Sequence, residues 1–306
     1  MGPFHLSVKG MLAFLPLMLL AFAKLVSTNN DYSSSSDSSQ IQKNVFLLAG
    51  QSNMSGRGGV INGTWDGIII PLDQSQLKTP IILRLSVAKT WVEAKDPLHK
   101  DIDVKNTCGV GPGMAFANGV MKKDPSFGVI GLVPCAIGGT KISEWVRGTN
   151  LYNQLVRRAE AALQGGGGTI RALLWYQGES DTIDYQHAKL YKMRLERFFT
   201  NLRADLQLPA LPIIQVALAS GQGPYIDVVR KAQLSVDLPN VKTVDAYGLP
   251  LEPDSLHLST SAQAQLGQML ADTFLQSAPP FPVLVQSSAC TIFHHFVLDS
   301  LLRPFR

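Results

Sequence analysis

Cysteine is scarce in this chain and odd in number. Cys108, Cys135 and Cys290 are the only three, so an oxidising compartment permits one disulfide and leaves one thiol over; which residues pair stays open. Cys135 lies in the apolar run GVIGLVPCA, where a small buried residue is a sufficient account of it. No cysteine stands at a zinc-type spacing from a histidine. Charge of one sign is missing too. The net charge is +4 at pH 7, and the adjacent positive pairs Lys122-Lys123, Arg157-Arg158 and Arg230-Lys231 are scattered, not striped. A nucleic-acid partner is therefore not expected. There is no internal repeat, and the N-terminal apolar run MLAFLPLMLLAFA (11–23) is short of the roughly 20 residues a spanning helix needs.

What is present at that end has the pattern of a secretory leader: a weakly basic start with His5 and Lys9, the apolar run, then small residues near Ala21–Ser27. We read residues 1–27 as a signal peptide, with an uncleaved signal anchor as the alternative if the run is counted through Lys24-Leu25-Val26. Residues 28–41, with NNDYSSSSDSSQ, form a serine-rich linker, and folded structure is expected over 42–278. The apolar tail 279–306 has no helix partner in sequence and is expected to be poorly ordered. Two N-glycosylation sequons occur, at Asn53 and Asn62; the second is the plausible acceptor, because the first lies within a candidate site.

Across 42–278, near-continuous apolar runs alternate with amphipathic segments. NVFLLAG (44–50), FGVIGLVPCA (127–136), IRALLWYQ (170–177), PIIQVALA (212–219) and VKTVDA (241–246) read as strands buried on both faces. Residues 151–164, 184–206 and 260–276 read as helices, the last after Ser259 as N-cap. This order predicts an α/β fold, a three-layer α/β/α sandwich around a parallel sheet of about five strands. Residues 56–110 are less regular and suit the wall of a pocket.

Sites in open parallel sheets form beyond the carboxyl ends of the strands. Four polar or glycine-rich segments fall there: Gly50-Gln51-Ser52-Asn53-Met54, Ile137-Gly138-Gly139-Thr140, Gln177-Gly178-Glu179-Ser180-Asp181, and Asp254-Ser255-Leu256-His257. Each has a plain structural reading. Ser52 can cap a helix, the glycine pair can be a turn, and Asp254 can cap or pair within its loop. Taken together they suit nucleophilic catalysis. A serine hydroxyl needs a base, and His257 is the candidate among six histidines: His5 lies in the leader, His99 in the irregular stretch, His187 on a charged helix face, and His294 and His295 in the tail. Asp254, three residues earlier, can orient its ring. The amides of Ser52 and Gly139 and the side-chain amide of Gln177 can serve as oxyanion donors.

GQSNM, AIGGTKISEW, WYQGESD and DSLH, in this order, resemble the motif blocks of the SGNH hydrolase superfamily. More narrowly, they are similar to carbohydrate esterase family six, the sialate O-acetylesterase-like group, and to its plant members, over about residues 43–277. The resemblance implies a flavodoxin-like fold and serine-dependent removal of O-acetyl groups from carbohydrates, with no metal or cofactor. Carried over by position, Ser52 is the nucleophile, His257 the base and Asp254 its orienting acid, with Ser52, Gly139 and Gln177 forming the oxyanion hole. Gln51, Asn53, Arg57, Trp145 and Glu179 are candidates for substrate contact or support; Trp145 either stacks on a sugar or sits in the core. The expected partner is an O-acetylated carbohydrate, the protein being a secreted monomer with no lasting membrane partner. Rival readings are a lipase or thioesterase, and a non-catalytic carbohydrate-binding protein on the same fold.

Overall fold

The computed structural model describes residues 42–69 and 82–277; the leader, linker and tail expectations fall outside those residues. Among these residues nine strands and six α-helices follow in order, with four short 3-10 turns between them: β1 Lys43–Gly50, α1 Ser52–Ser55, β2 Val60–Ile61, β3 Thr64–Trp65, β4 Ile82–Leu85, β5 Trp91–Glu93, α2 Pro112–Lys123, β6 Val129–Pro134, α3 Asn150–Leu163, β7 Gly168–Tyr176, α4 Tyr185–Asp205, β8 Ile213–Ala217, α5 Ile226–Leu234, β9 Val241–Asp245 and α6 Thr260–Ser277. The main sheet has seven strands in the order β5-β4-β6-β1-β7-β8-β9. All pairs are parallel except β4–β5.

The five apolar runs are the five strands β1, β6, β7, β8 and β9. The expectation of about five strands is corrected to seven, because the irregular stretch supplies β4 and the antiparallel edge strand β5. β4 carries Arg84, which interrupts its apolar pattern. That guanidinium is buried only because it donates to the Leu98 carbonyl at 2.8 Å and grips both oxygens of Asp101 at 2.6 and 2.8 Å.

Helices cover both faces. Phe46 of β1 meets Phe116 of α2 and Phe274 of α6 edge-on, at 4.8 and 4.9 Å between ring centroids. On the other face Trp175 of β7 packs on Phe198 of α4 at 4.6 Å. The central strands β1, β6 and β7 end together: Leu48 pairs with Pro134, and Gly50 with Tyr176. A side chain on Gly50 would place its Cβ 2.0 Å from the Tyr176 carbonyl oxygen, at a φ of +131°. Glycine there lets β1 leave the sheet in one step, so the chain turns directly into the single turn α1.

Candidate active site

Ser52 is the first residue of α1. The N-cap position belongs to Gln51, whose side chain makes no capping bond, so Ser52 is not the cap of this helix. Its Oγ faces His257 Nε2 at 2.9 Å. His257 Nδ1 meets Asp254 Oδ2 at 2.6 Å. The other oxygen, Asp254 Oδ1, accepts from the Leu256 and His257 amides, both at 2.9 Å. The carboxylate is thus fixed by its own loop before it reaches the ring. Asp254 is held below the usual carboxylate range: the bonds from its loop amides and from His257 outweigh the opposing effect of partial burial. Burial lowers His257 below its ordinary value, against the raising effect of Asp254. A neutral ring that carries its proton on Nδ1 toward Asp254 leaves Nε2 free to accept the serine proton. His99 is buried, and burial lowers it to about 3; no described contact joins it to Ser52, Asp254 or His257.

Gly139 is exposed, with φ +75° and open space where a Cβ would be, in a loop tied to the turn before Ser52 by Ile137 N donating to Gly50 O at 3.0 Å. Neither the Gly139 amide nor that of Ser52 has a protein acceptor among the described backbone bonds. A helix's first amides lack intrahelical partners by construction, and both groups are free to bind a developing anion.

Gln177 is placed differently from expectation. It is fully buried, and its amide nitrogen donates to Thr140 O at 2.8 Å, Asp181 Oδ2 at 2.7 Å and Gln51 Oε1 at 3.1 Å. Three acceptors already share two N–H groups, which leaves none for an oxyanion in this arrangement. Gln177 is a strut instead. With Asp181, which also accepts from Ile142 N at 2.9 Å, it holds the 137–142 loop that presents Gly139.

The remaining candidates are support. Gln51 accepts from Gln177, Gly178 N and Ser180 N. Asn53 donates to Glu179 Oε1 at 2.7 Å and accepts from Leu258 N at 2.9 Å; its complete burial removes the Asn53 sequon from consideration. Glu179 touches Asn53 and makes no recorded bond to His257. Of the two readings of Trp145, the structure favours the core: the side chain is fully buried, stands edge-on to Trp175 at 5.2 Å, and donates to Thr140 Oγ1 at 3.2 Å. Arg57 is not solvated. It is 5% exposed and paired with Asp103 at 2.5 Å, while also donating to Ser55 Oγ and Gly56 O. Asp103, which also accepts from Ser55 Oγ and Gly138 N, was not foreseen. Nothing in DPLHKDIDVKN separates it from Asp96 and Asp101.

A cavity of about 450 Å³ opens beside His257. Its wall carries Arg57, Asn62, Asn106, Thr107 and Glu252 among others. The hairpin β2–β3 forms one side, with Asn62 exposed in its turn, and is tied to the triad's own loop by Gly59 N donating to Glu252 Oε1 at 2.8 Å. Among the described residues no group of three or more His, Cys, Asp or Glu is placed to hold a metal ion, and Cys108 and Cys135 are free and buried. No described helix is long and apolar enough to cross a membrane.

An open, mostly parallel sheet with a Ser–His–Asp relay beyond its carboxyl edge defines an SGNH-like α/β protein. The chain belongs to the family described as "Carbohydrate esterase, sialic acid-specific acetylesterase", whose model matches residues 42–276. It is a carbohydrate acetylesterase, a carboxylic ester hydrolase. It is 53% identical over 240 residues to a probable carbohydrate esterase of Arabidopsis thaliana, covering 76% of this chain and 90% of that one. The solved X-ray structure of an Arabidopsis thaliana protein superimposes with a TM-score of 0.72 at 52% identity, covering 78% of this chain and 99% of that one. The crystal structure of NanS shares the fold with a TM-score of 0.61 at 18% identity, covering 78% and 97%.

Proposed function

We propose that the chain removes O-acetyl groups from carbohydrates through an acetyl-enzyme on Ser52. The observation that carries this reading is the continuous line of contacts from Asp254 through His257 to Ser52, at 2.6 and 2.9 Å. Ser52 Oγ attacks the acetyl carbonyl carbon as its proton passes to His257 Nε2. The carbonyl oxygen takes negative charge and is received by the Ser52 and Gly139 amides. The bond to the sugar oxygen breaks, and His257 returns the proton to that oxygen, releasing the alcohol. Water, deprotonated by the same ring, then attacks the acetyl carbon, acetate leaves, and Ser52 recovers its proton. Gln177 and Asp181 act through the loop they hold.

The cavity wall mixes the polar Asn62, Asn106, Thr107 and Glu252 with the apolar Val60, Ile61 and Pro253; that mixture suits a sugar, which has both hydroxyls and apolar ring faces, whereas a lipase or thioesterase would need an extended apolar acyl pocket. A plant cell-wall polysaccharide or a smaller acetylated glycoside fits this reading. The N-terminal segment 1–27, read as a leader, would deliver the protein to the cell exterior. The test is acetate release from acetylated xylan, pectin and small glycosides by purified protein. Ser52→Ala should lower kcat at least about 10³-fold; turnover surviving that change rejects the serine mechanism. A preference for octanoate over acetate in a p-nitrophenyl ester series would favour the lipase reading.

A further inference from the structure

The nucleophile and its base lie 205 positions apart in the chain. Something must fix their spacing, because misplacement by about 1 Å can cost about 10²-fold in rate. Asn53 is the residue immediately after the nucleophile, and its side chain reaches both flanks of the base. Oδ1 accepts from Leu258 N at 2.9 Å, on one side of His257, and Nδ2 approaches Leu256 O at 3.4 Å, on the other. The Asn53 carbonyl accepts from Gln263 Nε2 at 3.1 Å, which joins α1 to α6. A carboxamide can serve this place because it presents one acceptor and one donor at once. Which way round it sits is set by a third group, Glu179, whose Oε1 accepts from Nδ2 at 2.7 Å.

Glu179 is itself unusual. It is fully buried, and its Oε2 has no partner. Burial raises it to about 7, with the bond from Asn53 pulling the other way. No step of the reaction uses it. A group that costs so much to bury, and whose one side-chain bond goes to Asn53, is accounted for by what it does to that asparagine.

We propose that Asn53 is a positioning residue that holds the His257 loop in register with Ser52, and that Glu179 acts through it by fixing the orientation of its carboxamide. The proposal rests on the Ser52–His257 reading of the site. The loop has other supports: Glu252 N donates to His257 O at 2.7 Å, Ser220 Oγ donates to Leu256 O, and Asp254 caps its own turn. Loss of Asn53 therefore loosens the geometry and does not abolish the site. The effect belongs in kcat, because Asn53 is buried and lines no substrate surface.

A polarity swap tests it. Asn53→Asp keeps size, shape and the acceptor for Leu258 N, but removes the donor to Leu256 O and sets a carboxyl against Glu179, which must either repel it or share a proton with it. Adding Glu179→Gln restores a donor–acceptor pair in the reverse sense, with the glutamine amide donating to the aspartate. Asn53→Asp should lower kcat on p-nitrophenyl acetate at least tenfold with KM changed less than threefold. The double variant should recover at least fivefold of that loss. Wild-type kcat in folded Asn53→Asp, or a loss the second change does not recover, overturns the proposal, and so does a loss that falls on KM. If wild type itself hydrolyses acetyl esters and Ser52→Ala is equally active, the mechanism has failed instead, which is a different result.

Discussion

The floor and the wall of this site are built on opposite principles. The floor consists of Gln51, Asn53, Gln177, Glu179 and Asp181, all without solvent exposure and bonded to one another or to the loops they carry. The wall consists of the β2–β3 turn around Asn62, the stretch with Asn106 and Thr107, and the segment Glu252–Pro253, largely exposed and short in regular structure. Buried polar groups are costly unless satisfied; each of these side chains is held by at least one bond, although Gln177 Oε1, Glu179 Oε2 and Asp181 Oδ1 have no partner among the described residues. The floor's bonds can therefore set the geometry of a reaction, while the wall, whose Asn106 donates to Asp103 and whose Thr107 donates to Gly63 O, keeps exposed surface for a ligand. The difference separates residues whose loss should reach kcat from those whose loss should reach KM.

The largest effect expected beyond the nucleophile is at His257. Replacement by alanine should cost at least about 10³-fold in kcat, measured by acetate release; a smaller loss would mean that another group serves as base. Trp145→Ala should come next, as a stability effect. Removing a fully buried indole costs about 3–5 kcal/mol, readable by denaturant unfolding. Unchanged stability with a raised KM for oligosaccharides would return Trp145 to the substrate. On the wall, Asn106→Ala should lower kcat/KM on an acetylated oligosaccharide about threefold to tenfold, the worth of one or two hydrogen bonds, and leave p-nitrophenyl acetate unaffected; an equal loss on both substrates would erase the distinction between wall and floor. The smallest effect concerns pH. Burial lowers His257, so the neutral, active form persists into mild acid. The acid limb of kcat/KM should have its midpoint below about 6.5, the ordinary histidine value. A midpoint above that would place a raised, charged histidine in the site.

The sequence made the central strands legible because strands buried on both faces read as apolar runs: NVFLLAG, IRALLWYQ and their kin all became strands. The edge strands were harder. β4 hides a charge, Arg84, that only its tertiary partners neutralise, and β5 is a short edge strand. The helices α2 and α5 were not foreseen either; α2 contains two glycines, Gly113 and Gly119, that weaken its local signal. At the candidate site, Ser52, Asp254 and His257 were picked out by residue type and by position after strands, and the structure brings their side chains together. Residue type does not decide Trp145, since an indole near a loop has the same sequence signature in a core as on a sugar. Gln177 was placed beside the oxyanion on residue type, on its position after a strand and on the family resemblance, and only the three acceptors around its nitrogen show where its protons go. Asp103 was invisible because its partner, Arg57, lies 46 positions away in a stretch without periodicity.

The central claim is that Ser52 carries the acyl group during turnover. Its most direct test is rapid acid quenching of the wild-type protein during turnover of p-nitrophenyl acetate, followed by peptide mass mapping. The account predicts a single acetyl group on the peptide containing Gln51-Ser52-Asn53, assigned to Ser52 and absent from Ser52→Ala. Steady release of acetate by Ser52→Ala at the wild-type rate, with no acetylated peptide trapped from the wild type, would contradict it.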